Sequence, residues 1–92
     1  METERRNRIR LSLAAYAYEY HDDSIMSDAE FDKLSLAIKP EVKTGHKRLD
    51  KFFREEFDPS TGMWIRKHPM RNELAELYRY YTEELKEKEN NS

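Results

Sequence analysis

This 92-residue sequence predicts an all-α fold, on three observations. Apolar side chains return at helical spacing in four separate stretches. The segment "SDAEFDKL", Ser27 to Leu34, carries the S-x-x-E signature of a helix start. Prolines and turn formers separate the stretches, and the one candidate extended piece, Met63 to Ile65, is too brief for a sheet of its own. The expected architecture is a single domain over 1–92. It comprises a helical hairpin at 4–39, further helices at 46–57 and 69–87 covering its apolar side, and a frayed tail at 88–92.

The first helix rests on Ile9, Leu13, Tyr16, Ala17 and Tyr20, at i, i+4, i+7, i+8 and i+11. Leu11, Ala14, Ala15 and Tyr18 widen that stripe, so the helix is expected to bury more than a narrow seam. "HDDS" then breaks the period with turn and cap residues. In the second helix the Ser27 hydroxyl should accept a first-turn N–H, and Glu30 should reach back to the N–H of Ser27. Asp28 sits where the positive end of the helix dipole favours a carboxylate. Phe31, Leu34 and Ile38 mark the inner side, and Pro40 ends the helix. The short connection makes the two helices antiparallel.

The third helix follows from Leu49, Phe52, Phe53 and Phe57, with Lys47, Lys51, Arg54 and Glu55 on the opposite side. Asp58-Pro59-Ser60 and Gly62 have turn chemistry. Pro69 suits the first position of a fourth helix, with His68 as cap neighbour. Leu74, Leu77, Tyr78, Tyr81 and Leu85 mark its buried side.

Composition bounds the function. With 37% apolar and 39% charged residues, the core must be thin and the surface heavily charged. Stability of only ~5 kcal/mol is expected for such a chain. The absence of cysteine excludes disulfides and thiolate metal sites. No apolar run reaches the roughly 18 residues of a membrane span. "METERRNRIR" has no apolar region behind it, so no secretory signal is expected and the protein reads as cytoplasmic. The net charge of −2 divides into −2 for residues 1–40, +3 for 41–71 and −3 for 72–92. His21, His46 and His68 lack metal-ligand spacing, so no metal is expected. No nucleophile elbow or pocketed acid pair is evident, so no catalytic residue and no enzyme activity are expected.

"YEYHDDSIMSDAEFDKL", Tyr18 to Leu34, resembles the small N-terminal helical region (Ia) of NAD-dependent DNA ligases. In that family a helix ending in aromatics leads through a short loop to an Asp-Ala-Glu-Tyr-Asp helix start. The region binds the nicotinamide mononucleotide (NMN) half of NAD and helps the nucleotidyltransferase core take up AMP. Without gaps, the family's ligand residues fall on Tyr18, Asp22, Asp28, Phe31 and Asp32. Glu19 stands where the family has Tyr or His, and Phe31 lacks a tyrosine's hydroxyl. An alternative alignment on Tyr20-His21 needs a loop two residues shorter. Asp28 and Asp32, at i and i+4, point the same way. The resemblance thus implies NMN or NAD as ligand, while helix-start acids also serve the dipole alone. Ligation itself is not expected: Gly45 and Gly62 are the only glycines, and neither completes a Lys-x-Asp-Gly nucleophile motif. "DKFFREEFDPSTGMWIRKHP" is similar to small ligase-related proteins of bacteriophages.

Three functions follow as expectations. The chain is a non-catalytic accessory module, phage-encoded, binding a nicotinamide nucleotide or a DNA-metabolism enzyme. Alternatively it inhibits a host defence or replication factor through a loop carrying Trp64, Arg66 and Lys67, where Trp beside Arg is a typical interface anchor. In the plainer reading Trp64 plugs the gap between helices. The third is a nucleic-acid accessory role through Lys43, Lys47, Arg48, Lys51 and Arg54, less favoured because a dedicated binder is usually more basic overall.

Overall fold

The computed structural model describes residues 2–90, with side chains described for 3–83. Four helices follow in order: α1 at Glu2–His21, α2 at Asp28–Ala37, α3 at Lys47–Glu55 and α4 at Arg71–Asn90. A 3-10 turn at Met63–Lys67 precedes α4. The protein is all-α, and no strand occurs among the described residues. Helix α1 is the central element, packing against α2, α4 and the 3-10 turn.

Local chemistry accounts for the helix ends. Ser27 Oγ accepts the Glu30 N–H at 3.1 Å, which starts α2. The return bond from Glu30, expected of a full capping box, does not form; Glu30 stays exposed. Helix α2 closes at Ala37, three residues before Pro40. His46 caps α3, its Nδ1 accepting the Leu49 N–H at 3.3 Å. Helix α4 starts at Arg71, two residues beyond Pro69, and runs to Asn90. Residues 91 and 92, and the side chain of Leu85, lie outside the described residues.

Phe53 and Ile65 sit fully buried at the centre, with Leu49 and Phe52 of α3 and Trp64 of the 3-10 turn around them. Leu11 and Ala15 close the core from α1, Ile38 from the end of α2 and Leu74 from α4. Phe31, Leu34 and Phe57 pack half-buried at its edge.

Helix α1 departs from expectation. Ile9 and Tyr20 are exposed, at 39% and 42%. Leu11, Ala14, Ala15 and Ala17 are buried as expected, and Glu4, Arg8 and Ser12 join them on the inner face. The inner face is thus shifted toward Glu4, Arg8 and Ser12 and away from Ile9 and Tyr20. The cause is a buried ionic hub. Arg8 Nε donates to Glu4 at 2.6 Å and its Nη1 to Asp50 at 2.9 Å. Its Nη2 donates to the carbonyls of Lys39 at 2.7 Å and Val42 at 2.9 Å. The guanidinium also lies 5.1 Å over the Phe53 ring. Glu4 accepts the Lys39 N–H, and Asp50 accepts the N–H and hydroxyl of Thr44. With every partner satisfied, charge can occupy an inner face that apolar periodicity would assign to Ile9. Burial alone would push the Asp50 carboxyl up. The Thr44 hydroxyl and amide, together with the Arg8 charge, outweigh it and hold Asp50 below its ordinary range. Gly45, at φ 94°, supplies the left-handed turn that folds the Thr44 amide onto Asp50.

Candidate functional site

The end of α1, the start of α2 and the segment 59–63 enclose a cavity of about 350 Å³. Helix α1 contributes Tyr18, whose ring is 64% exposed and free to face a ligand. Helix α2 contributes Asp28, Phe31 and Asp32, which share one face at i, i+3 and i+4. Four of the five residues aligned with the ligase region therefore share one cavity. The fifth, Asp22, does not line it. Asp22 adopts φ 51°, the left-handed conformation that Asp tolerates, and the Asp23 N–H reaches back to the Ala17 carbonyl at 3.0 Å. Its part is to end α1 and start the turn toward α2.

The opposite wall comes from Pro59 to Met63. Asp58 Oδ1 stiffens this segment by accepting the Ser60 N–H at 2.9 Å and hydroxyl at 2.7 Å. Those bonds, the amide first, hold the Asp58 carboxyl below its ordinary range. Gly62 passes over Phe31. A Cβ there would stand 3.6 Å from the ring, an ordinary contact, so the approach does not depend on glycine's small size. Met26 and Met63 add soft, polarizable surface. Glu19 lines the cavity too, and Arg66 donates to it from Nε at 2.8 Å and pairs with it through Nη2 at 2.6 Å.

The lining thus joins two aromatic rings, two thioethers and three carboxylates, and it includes no lysine, arginine or histidine. Such a wall suits a flat cation: ring faces attract positive charge, and carboxylates offset it and accept hydroxyl protons. Glu19, Met26 and Met63 were not among the sequence-derived candidates. Glu19 reads in the sequence as a departure from the ligase pattern. Met63 is 32 residues from Phe31, beyond any local pattern.

The other two sets of candidate residues fare differently. Trp64 is 4% exposed, with ring centroids 5.6 Å from Phe53 and 5.2 Å from Phe57. The segment expected to be extended is a 3-10 turn, which rotates Trp64 and Ile65 inward and Arg66 and Lys67 outward. A partner cannot reach the Trp64 ring, so the anchor reading is corrected to that of a core plug. Arg66 is engaged with Glu19, and Lys67 Nζ lies 3.4 Å from Glu56. Lys43, Lys47, Arg48, Lys51 and Arg54 are all exposed, Arg48 donating to the Pro69 carbonyl at 3.1 Å.

The histidines have distinct places. His21 stacks on Tyr78 at 4.2 Å, His46 caps α3 and His68 is buried beside Phe52. Among the described residues no group of three His, Asp or Glu could hold a metal ion, and no helix is long and apolar enough to cross a membrane. Compared with known proteins, the chain matches no family model, no curated protein and no solved structure.

Proposed function

We propose that the chain is a non-catalytic binding module whose cavity between α1 and α2 takes the nicotinamide–ribose end of a nicotinamide nucleotide. One observation carries this reading: Tyr18, Asp28, Phe31 and Asp32, aligned by sequence with a nucleotide-binding region, line the same cavity. The pyridinium ring stacks against Tyr18 or Phe31, and its positive charge faces Asp28 and Asp32, Glu19 being already paired with Arg66. Because no Lys or Arg lines the cavity, the phosphate stays in water at the mouth. The reading is non-catalytic because Asp28 and Asp32 are both exposed, without the dry pocket that sets a general acid apart from a base.

Titration of the full chain with NMN, followed by amide NMR, tests this. Saturable shifts are expected at Tyr18, Phe31 and Asp32, and nicotinamide riboside should bind at least as tightly as NMN. Asp32→Asn keeps the helix but removes a charge, and should weaken binding roughly tenfold. Silence at millimolar ligand, or equal affinity of Asp32→Asn, would remove the reading.

A further inference from the structure

Every exposed side chain of α3 is charged. Lys47, Arg48, Lys51 and Arg54 stand against one carboxylate, Glu55, while Leu49, Asp50, Phe52 and Phe53 turn inward. Lys47, Lys51 and Arg54 fall at i, i+4 and i+7, so they form one row of about 10 Å along the helix. No ion pair among the described residues engages any of the four cations, and only Arg48 has a protein acceptor, the Pro69 carbonyl. The connection before α3 extends the charge. Lys43 is exposed there, and Arg5 of α1 donates from Nη2 to the Thr44 carbonyl. Two nearby acids are spent elsewhere, Asp50 on Arg8 and Thr44, and Glu56 on Lys67.

Folding alone does not account for this arrangement. Lys47 and Arg48 occupy the first turn of α3, where the positive end of the helix dipole disfavours cations. Helix α2 follows the dipole rule at its own start, with Asp28 and Glu30. Cations kept against a local rule, unpaired and in solvent, suit an anion from outside the chain. The composition of the face narrows that anion. With no exposed apolar or aromatic side chain, α3 lacks the anchor of a protein interface, the inserted residues of a membrane-surface helix and the stacking platform for single-strand bases. A phosphate backbone requires only the cations. A convex helix reaches the strands bordering the major groove of B-form DNA, about 12 Å wide, whereas the narrow major groove of duplex RNA shuts it out.

We propose that the outer face of α3 docks on the phosphate backbone of double-stranded DNA without reading its sequence. No α3 residue lines the cavity between α1 and α2, so this inference stands apart from the nucleotide reading. Fluorescence anisotropy of a short labelled DNA duplex, titrated with the full chain, tests it. Binding is expected at low salt, with log K falling against log salt at a slope of about −3, since three row cations each displace a counterion. Lys51→Gln should weaken binding and make the slope shallower by about 1. Combining Lys47→Gln, Lys51→Gln and Arg54→Gln should abolish binding, with circular dichroism checking that these exposed changes leave the fold intact. Lys33→Gln removes the same charge from the exposed side of α2 and should leave binding unchanged. Four results would each overturn the proposal: no binding at low salt, an affinity indifferent to salt, equal weakening by Lys33→Gln and Lys51→Gln, or duplex RNA, single-stranded DNA or polyglutamate binding as tightly as duplex DNA.

Discussion

Replacing Arg8 by alanine removes a buried cation that ties α1 to both the α2–α3 connection and α3. Two carboxylates, Glu4 and Asp50, lose their counter-charge, and the carbonyls of Lys39 and Val42 lose a donor. Breaking a buried ion pair by removing one partner costs about 3–5 kcal/mol. The low end applies here, because Asp50 keeps both Thr44 bonds and Glu4 keeps the Lys39 amide. Loss of the buried stem and its contact with Phe53 adds to this. We expect a net loss of about 3–4 kcal/mol, a large part of the ~5 kcal/mol expected for so small a domain. Urea unfolding followed by circular dichroism would measure it, with the exposed Arg10→Ala as a control that should stay within about 0.5 kcal/mol. Asp50→Asn completes a double-mutant cycle, in which a coupling of about 1–3 kcal/mol is expected. A loss below about 1 kcal/mol for Arg8→Ala, or additive effects in the cycle, would refute the hub.

Two further predictions concern protons. His68 is neutral in the fold down to about pH 4, whereas the unfolded chain binds that proton near 6.5. Stability should therefore be flat above pH 6.5 and fall as pH drops toward 4, by on the order of 3 kcal/mol from this residue. The excess slope should vanish in His68→Phe whatever that variant's absolute stability, and a slope that persists would assign the effect elsewhere. Tyr78 donates to Asp23 at 2.7 Å; that bond first, then burial and the Asp23 charge, pushes its phenol up to about 12. Ultraviolet titration should show one late-ionising tyrosine that moves down in Asp23→Asn, and an unchanged curve in that variant would discount the bond.

Much of the candidate site was legible in the sequence because its first half is local. Asp28, Phe31 and Asp32 lie within one turn of a helix whose start Ser27 specifies. Tyr18 lies in the last turn of the preceding helix, a short loop away. The far wall from Pro59 to Met63 was not legible, since nothing near Phe31 in sequence shows which distant segment will lie over it. Trp64 illustrates the same limit. Beside Arg66 and Lys67 it reads equally as an interface anchor or a plug, and only the 3-10 turn decides which way the ring faces.

The amino-acid sequence by itself determined four helices, the Ser27 start of α2 and its acidic first turn, because caps, breakers and i, i+4 neighbours act within a few residues. Tertiary structure alone decided which face of α1 turns inward. Apolar spacing favours Ile9, but Arg8 reaches Lys39 and Asp50, 31 and 42 positions away. A charge enters the core only when such distant partners converge on it, and no local pattern records that convergence.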